Sequence, residues 1–250
     1  MEDTPPVEDY QDALARMERA VDTGNTDLRR LGFWRLVNRI KVEPALSHHW
    51  AETVGRIDRK AFEVRVKPRL PVWFGNVLLL VSTAIWAALV PVALAIARRS
   101  ATPEPVISGL LVVAAAGGLS ASVHDLAHYV VGSIGRIRFH AYFIGDPLKV
   151  TPGLKIDYES YLKASPGSRA TMHAAGALAT KAAPFAVFVG AYFPHAAAGY
   201  DLLPAWSLWA VLALGAVEIV TDLTLSRKYS DWKKVGRELR VAQAQRNAKI

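Results

Sequence analysis

The stretch that decides the fold is VISGLLVVAAAGGLSASVHDLAHYVVG, which occupies residues 106–132. A helix needs ~20 apolar residues, at 1.5 Å rise each, to cross the hydrocarbon of a bilayer, and this stretch is long enough. Within it the only charged or imidazole side chains are those of His124, Asp125 and His128. Such groups are costly inside a membrane and are usually functional, so the segment predicts both a membrane helix and a site.

Histidines at positions i and i+4 of a helix project from the same face. His124 and His128 are therefore predicted to converge on a point that could hold a metal ion. Because the chain contains no cysteine, its metal ligands must come from His, Asp or Glu side chains. The alternative is that both imidazoles are hydrogen-bonded to polar partners in a helical bundle, without a metal.

Three further apolar runs have the length of membrane spans, at 73–97, 171–194 and 203–225. Hydrophobic residues make up 52% of the 250 residues. We expect none of these four runs to be a signal peptide, because the first seventy residues are polar and charged. The sequence predicts an all-α polytopic membrane protein with about four transmembrane helices.

The net charge of +8 would suggest nucleic acid as the partner of a soluble chain. Here Lys and Arg cluster before the first span, between the second and third, and after the fourth. The positive-inside rule then places both termini and the 135–169 loop in the cytoplasm. We expect the lipid bilayer as a partner, and not nucleic acid.

The N-terminal region, residues 1–70, is predicted to be cytoplasmic and helical. A short helix is expected at 9–21, and Thr26 is expected to cap a basic amphipathic helix that reaches Ile40. Pro44 would end that helix, and Ser47 would cap another one through Lys60. The amphipathic helix has two open interpretations: it lies on an anionic membrane surface, or it packs within a small helical domain.

A different pattern follows the second span. Apolar and polar residues alternate over 137–143, which indicates a strand, and turn signals at 145–147 and 151–153 flank further strands at 148–150 and 154–158. We expect a small β-hairpin or three-stranded sheet here. The predicted domains are 1–70, a transmembrane domain at 71–232 and a basic cytoplasmic tail at 233–250.

Other polar groups are expected at similar depth in the third and fourth spans. They are His173, Lys181, Glu218 and Asp222. Catalytic zinc commonly takes two His and one carboxylate plus water, so the fourth span offers two rivals for the third ligand. We prefer Asp222 as the ligand, with Glu218 pairing with Lys181.

The chain from about 116 to 222 resembles the site-2 protease family of intramembrane zinc metalloproteases. That family has H-E-x-x-H on one span, a β-hairpin after it, an A-G-P-x-x-N patch on the next span and an Asp on a third. The run from His124 to His128 matches the first motif, residues 175–180 loosely match the patch, and Asp222 matches the third. The resemblance implies that His124, His128 and Asp222 bind Zn²⁺, and that Asp125 stands at the position of the catalytic Glu.

The function that follows is zinc-dependent cleavage of a membrane protein or peptide near the cytoplasmic face. The main alternative is a catalytically inactive relative that binds metal or membrane segments, because Asp125 is one methylene shorter than Glu and the family's N-P-x-D-G surroundings of Asp222 are missing. A di-iron enzyme would need more than the seven histidines present. A transporter could use Lys181, Glu218 and Asp222 as a proton relay.

Overall fold

The computed structural model describes residues 7–99, 106–144, 153–199, 201–224 and 230–248. The chain divides into two compact units. Unit 1 comprises Met1–Val72, Gly132–Ala170 and Gly236–Ile250, and unit 2 comprises Trp73–Val131 and Thr171–Val235. This division groups the chain differently from the predicted boundaries at 70 and 232, because the central segment and the C-terminal tail join the N-terminal region in unit 1.

Three helices form the N-terminal part of unit 1. They are α1 (Val7–Asp22), α2 (Phe33–Val42) and α3 (Pro44–Arg65). The apolar face of α2 is buried in a core that the three helices share, with Phe33, Val37 and Ile40 almost completely inaccessible. For this amphipathic helix, packing within a small helical domain is therefore confirmed.

The starts of these helices differ from the prediction. Gly32, with a φ of 76°, is the residue before α2, so the predicted cap at Thr26 is wrong. Pro44 was predicted to end a helix. In the structure it also begins α3, and its missing N–H costs nothing in the first turn of a helix. Ser47 is inside α3, and its hydroxyl donates a hydrogen bond to the carbonyl of Leu162 at 2.8 Å.

The predicted hairpin is confirmed as part of a three-stranded antiparallel sheet of order β1-β2-β3. The strands are β1 (Arg69–Leu70), β2 (Phe139–Phe143) and β3 (Gly153–Ile156). The predicted strand residues 148–150 lie outside the described residues. Tyr158 was expected at the end of a strand but begins α6 (Tyr158–Lys163), because the Asp157 side chain accepts a hydrogen bond from the Glu159 N–H and caps a helix.

The C-terminal tail is a helix, α9 (Asp231–Asn247). Within unit 1 its Glu238 is buried and forms ion pairs with Lys41 and Arg169. The hydroxyl of Tyr161 donates a hydrogen bond to Glu238 Oε1 at 3.0 Å. Burial lowers the pKa of Lys41 to about 8, against the opposing effect of the Glu238 carboxylate. A carboxylate this deeply buried requires such partners.

Among the residues that the structure describes, four helices are long and apolar enough to cross a membrane, and they make up most of unit 2. They are α4 (Val72–Arg99), α5 (Val106–Ile134), α7 (Pro166–Ala197) and α8 (Ala205–Thr224). Small side chains such as Ala93 and Ala115 are fully buried where the helices pack, while Leu80 and Ile85 of α4 are exposed. Close packing through small residues and an apolar outer surface fit a multi-pass membrane protein. All four predicted spans coincide with these helices.

Candidate metal centre

Three potential metal-ligating side chains meet in unit 2. His124 and His128 lie one turn apart on α5, and Asp231 is the first residue of α9. The Nε2 atoms of the two histidines are 3.2 Å apart. Asp231 Oδ2 lies 3.2 Å from Nε2 of His128 and 3.3 Å from Nε2 of His124. The predicted convergence of the two imidazoles is confirmed, and the group could hold a metal ion.

The spacing of these three atoms matches the geometry of zinc. Zinc bonds to His nitrogen and carboxylate oxygen are ~2.0–2.1 Å long, which separates two ligands of a tetrahedral ion by about 3.3–3.4 Å. The observed separations are 3.2, 3.2 and 3.3 Å. The three separations are therefore those expected between three ligands of a tetrahedral ion. Three is also the number of protein ligands that catalytic zinc takes.

The hydrogen-bond partner of His124 Nδ1 determines which of the two ring nitrogens carries the proton. Nδ1 lies 2.9 Å from the hydroxyl oxygen of Thr180. That hydroxyl donates its single proton to the carbonyl of Gly176 at 3.0 Å. Because the hydroxyl can then only accept, His124 Nδ1 must be the donor. The lone pair of the neutral imidazole is consequently on Nε2, toward Asp231.

His128 is oriented in the same way. Its Nδ1 lies 2.7 Å from the backbone carbonyl of Met172, an oxygen that can only accept. Nδ1 therefore carries the proton and Nε2 the lone pair, as in metal-ligating histidines whose other nitrogen donates to an outer partner. With a carboxylate beside two Nε2 lone pairs, three electron-rich atoms face one another. Such a group requires a cation, either a metal ion or added protons.

Asp231 is itself held in the ionised form that a ligand needs. Burial favours its neutral form. When no metal is bound and the Nε2 atoms of His124 and His128 are protonated, their hydrogen bonds and the charge of Lys234 hold the pKa of Asp231 well below its usual range. Lys234 Nζ donates to Asp231 Oδ1 at 2.7 Å, which leaves Oδ2 toward the histidines.

Gly176 on α7 makes room for the His128 ring. A Cβ atom built at Gly176 would overlap ring atoms of His128, well inside van der Waals contact. Glycine is required here for the close approach of the α7 backbone to the imidazole. Gly176 belongs to the 175–180 patch that resembles the family's motif. The close approach of the His128 ring explains why this position of the patch is a glycine.

Two other predicted site residues lie near the cluster. The charge of Asp125, half-buried on α5, interacts with those of His124, His128 and Asp231. His173 is buried on α7, with its Nδ1 3.8 Å from Asp231 Oδ1 and its ring centre 6.1 Å from that of His128. Both residues remain candidates for supporting roles beside the three converging atoms.

The other predicted ligand, Asp222, is used differently in the structure. It pairs with Lys181 and accepts a hydrogen bond from Trp232 Nε1 at 3.0 Å. The expected pairing of Lys181 with Glu218 is wrong, although Glu218 lies close enough to interact with Lys181 and Ser120. The acidic residue placed beside the histidines is Asp231, where the sequence predicted Asp222.

Asp231 was not among the predicted ligands, because the acidic ligand was expected within an apolar span and Asp231 lies outside all four. Asp231 begins the polar helix α9 and follows His128 by 103 residues. Its sequence signal was Ser230-Asp231 ahead of a helical stretch, which is a helix start and has no metal-binding spacing.

The hydrogen bond from His124 to Thr180 yields a testable prediction. In Thr180→Val the shape of the side chain is retained but the acceptor for His124 Nδ1 is lost. Loss of such an outer partner costs roughly 10–100-fold in metal affinity. We expect a decrease of this size in a zinc titration of the purified protein, whereas Thr180→Ser should bind nearly as well as the wild type. Equal affinity for the valine variant would contradict the assigned orientation of His124.

Comparisons of this chain with protein-family models, with curated proteins and with solved structures find no significant match. The resemblance to site-2 proteases therefore rests on the motifs in the sequence and stays a prediction.

Proposed function

We propose that this protein is a zinc-dependent membrane protease that cleaves a membrane-protein or peptide substrate. The observation that carries the proposal is the triangle of His124 Nε2, His128 Nε2 and Asp231 Oδ2, with separations of 3.2–3.3 Å, in a unit of four potential membrane helices. Three protein ligands are what hydrolytic zinc sites use, since the fourth position takes water.

Each residue has a definite part in this proposal. A zinc ion at this site would supply Lewis-acid chemistry and would lower the pKa of a water molecule to about 7. His124, His128 and Asp231 would hold the ion. Thr180 and the Met172 carbonyl orient the two imidazoles. Asp125, adjacent to His124, accepts the proton of the attacking water and returns it to the leaving amine.

The rest of the fold supports a protein substrate in or near a membrane. Only extended backbone can be cleaved, and β3 (Gly153–Ile156) is one of the two outer strands of the three-stranded sheet. An unfolded substrate segment can bind to such an outer strand by strand addition. The Lys and Arg distribution favours cleavage from the cytoplasmic side.

A peptidase assay on the purified protein tests this function. Wild-type protein in detergent or lipid should cleave an unfolded membrane-derived peptide, and a zinc chelator should abolish the cleavage. Asp125→Asn should keep its zinc, because the side chain is outside the ligand triangle, but lose cleavage by roughly 10²–10⁴-fold, the usual contribution of a general base. Chelator-resistant cleavage, or full activity of Asp125→Asn, would contradict the proposal.

A second candidate function is the binding of a metal ion or of membrane segments of another protein, without cleavage. The observation in its favour is the Asp at position 125, because a carboxylate withdrawn by one methylene is poorly placed, and ~1 Å of misplacement can cost around a hundredfold in rate. Under this alternative the wild type binds zinc and does not cleave. Asp125→Glu would then raise cleavage from the background, whereas in an active enzyme it would leave the rate similar or lower.

A further inference from the structure

Asp222 and Trp232 connect the end of α8 to the first turn of α9. The indole Nε1–H of Trp232 donates to Asp222 Oδ2 at 3.0 Å, and Lys181 of α7 forms an ion pair with the same oxygen. Trp232 is the immediate neighbour of Asp231 in the chain. One residue of the first turn of α9 is thus bonded to Asp222, and the residue before it faces the histidines.

We propose that Lys181, Asp222 and Trp232 form a clamp that positions Asp231 as the third metal ligand. This inference rests on the metal site of the proposed function and assigns new roles within it. Asp222 is then a positioning residue, which acts through Trp232 and not by contact with the metal. Asp222, which the family resemblance implied as a ligand, would instead support Asp231 in that role.

The chemistry of the three groups suits a clamp. An indole N–H has no acceptor capacity, so its placement depends on one good acceptor. A carboxylate is a stronger acceptor than a neutral oxygen, because charge-assisted hydrogen bonds are roughly twice as strong. Among apolar helices an ionised Asp222 needs a counter-charge, and the Lys181 ammonium supplies it.

The position of Asp231 matters because both of its carboxylate oxygens have to reach fixed partners. Oδ2 must lie 3.2–3.3 Å from two nitrogens of another helix while Oδ1 accepts from Lys234 at 2.7 Å. Lys234 sets the rotation of the carboxylate from within α9. The hydrogen bond from Trp232 to Asp222 sets the position of the turn itself, since it is made to a residue of α8.

The test is a metal titration of the full-length purified protein with Zn²⁺ and with Co²⁺, whose absorption spectrum reports the ligand geometry. Trp232→Phe keeps the aromatic ring and removes the N–H, so the affinity should fall roughly tenfold or more, as for other outer partners of metal ligands. The Co²⁺ spectrum should change as well. The matched control is Trp209→Phe, at a tryptophan of α8 whose side chain is 70% exposed, which should bind like the wild type.

Variants of Asp222 separate positioning from direct ligation. The double variant Lys181→Met/Asp222→Asn removes the charge pair but keeps an amide oxygen for the indole, so it should bind metal more weakly than the wild type and more tightly than Asp222→Ala. Asp222→Ala removes the acceptor and should bind as weakly as Trp232→Phe, which provides a second test if one variant does not fold. Helix content measured by circular dichroism identifies a variant that is unfolded.

The possible failures can be told apart. A wild-type protein that binds neither Zn²⁺ nor Co²⁺ would refute the proposed function together with its metal site. A wild type that binds metal, with Trp232→Phe of equal affinity and unchanged spectrum, would overturn the clamp alone. Loss of metal from Lys181→Met/Asp222→Asn while Trp232→Phe stays unaffected would make Asp222 a ligand, and would also overturn it.

Discussion

Zinc affinity is expected to fall by about a hundred- to a thousandfold when Asp231 is replaced by asparagine. Structural zinc sites bind with ~10–16 kcal/mol, so an even quarter share for one of four ligands is about 2.5–4 kcal/mol. Asparagine also removes the negative charge that lies 3.2–3.3 Å from two imidazole nitrogens. The measurement is a competition titration with a chelator of known affinity, at a pH near 7.

The control for this prediction is Glu218→Gln, which changes a partly buried acid of the same unit outside the ligand triangle. We expect its zinc affinity to stay within a few-fold of the wild type. Should Asp231→Asn bind zinc as tightly as the control, the third ligand would have to be another acid, and the structural assignment of Asp231 would be wrong.

Gly176→Ala is expected to disrupt the site and destabilise the protein. The added Cβ would overlap Nε2, Cε1 and Cδ2 of the His128 ring, and Nδ1 of the same ring is held by its hydrogen bond to the Met172 carbonyl at 2.7 Å. Gly176 and Met172 both belong to α7, so either the imidazole leaves its position or α7 moves away from α5, and both changes disturb that hydrogen bond. Overpacking of this kind costs typically ~1–3 kcal/mol, and the displaced His128 should also lower zinc affinity.

Gly117→Ala is a matched control for this substitution. Gly117 lies on α5, the helix of the two histidines, and no heavy atom is within 4 Å of a Cβ built there. Replacing an unconstrained helical glycine by alanine should stabilise by roughly 0.5–1 kcal/mol. Thermal unfolding should therefore shift in opposite directions for the two variants. A Gly176→Ala protein with unchanged stability and zinc affinity would contradict the close packing described here.

The sequence was informative where one local rule determines the outcome. Apolar length alone predicted the four helices of unit 2, because crossing a bilayer requires ~20 apolar residues. The i, i+4 spacing alone predicted that His124 and His128 face the same point, since it follows from helix geometry. Alternation of apolar and polar residues predicted β2 for the same kind of reason.

The features that were not predicted depend on contacts between distant parts of the chain. Asp231 reaches the histidines through tertiary structure, and no spacing rule relates it to His128. Lys181 pairs with Asp222 instead of Glu218 through packing between helices, and Trp232 bonds to the same Asp222 carboxylate. Strand β1 has two residues, too few for a periodic pattern, and its pairing partner in β2 is about seventy residues away. The tail was predicted from its charge, but its burial depends on Lys41 and Arg169.

The central claim is that His124, His128 and Asp231 form a metal site, and metal analysis of the purified full-length protein tests it most directly. After loading with zinc and removal of the excess, we expect one zinc per chain in the wild type and in His48→Ala, whose histidine is exposed in unit 1. His124→Ala and His128→Ala should each contain far less than one. Full zinc occupancy in both of these variants, or none in the wild type, would contradict the account.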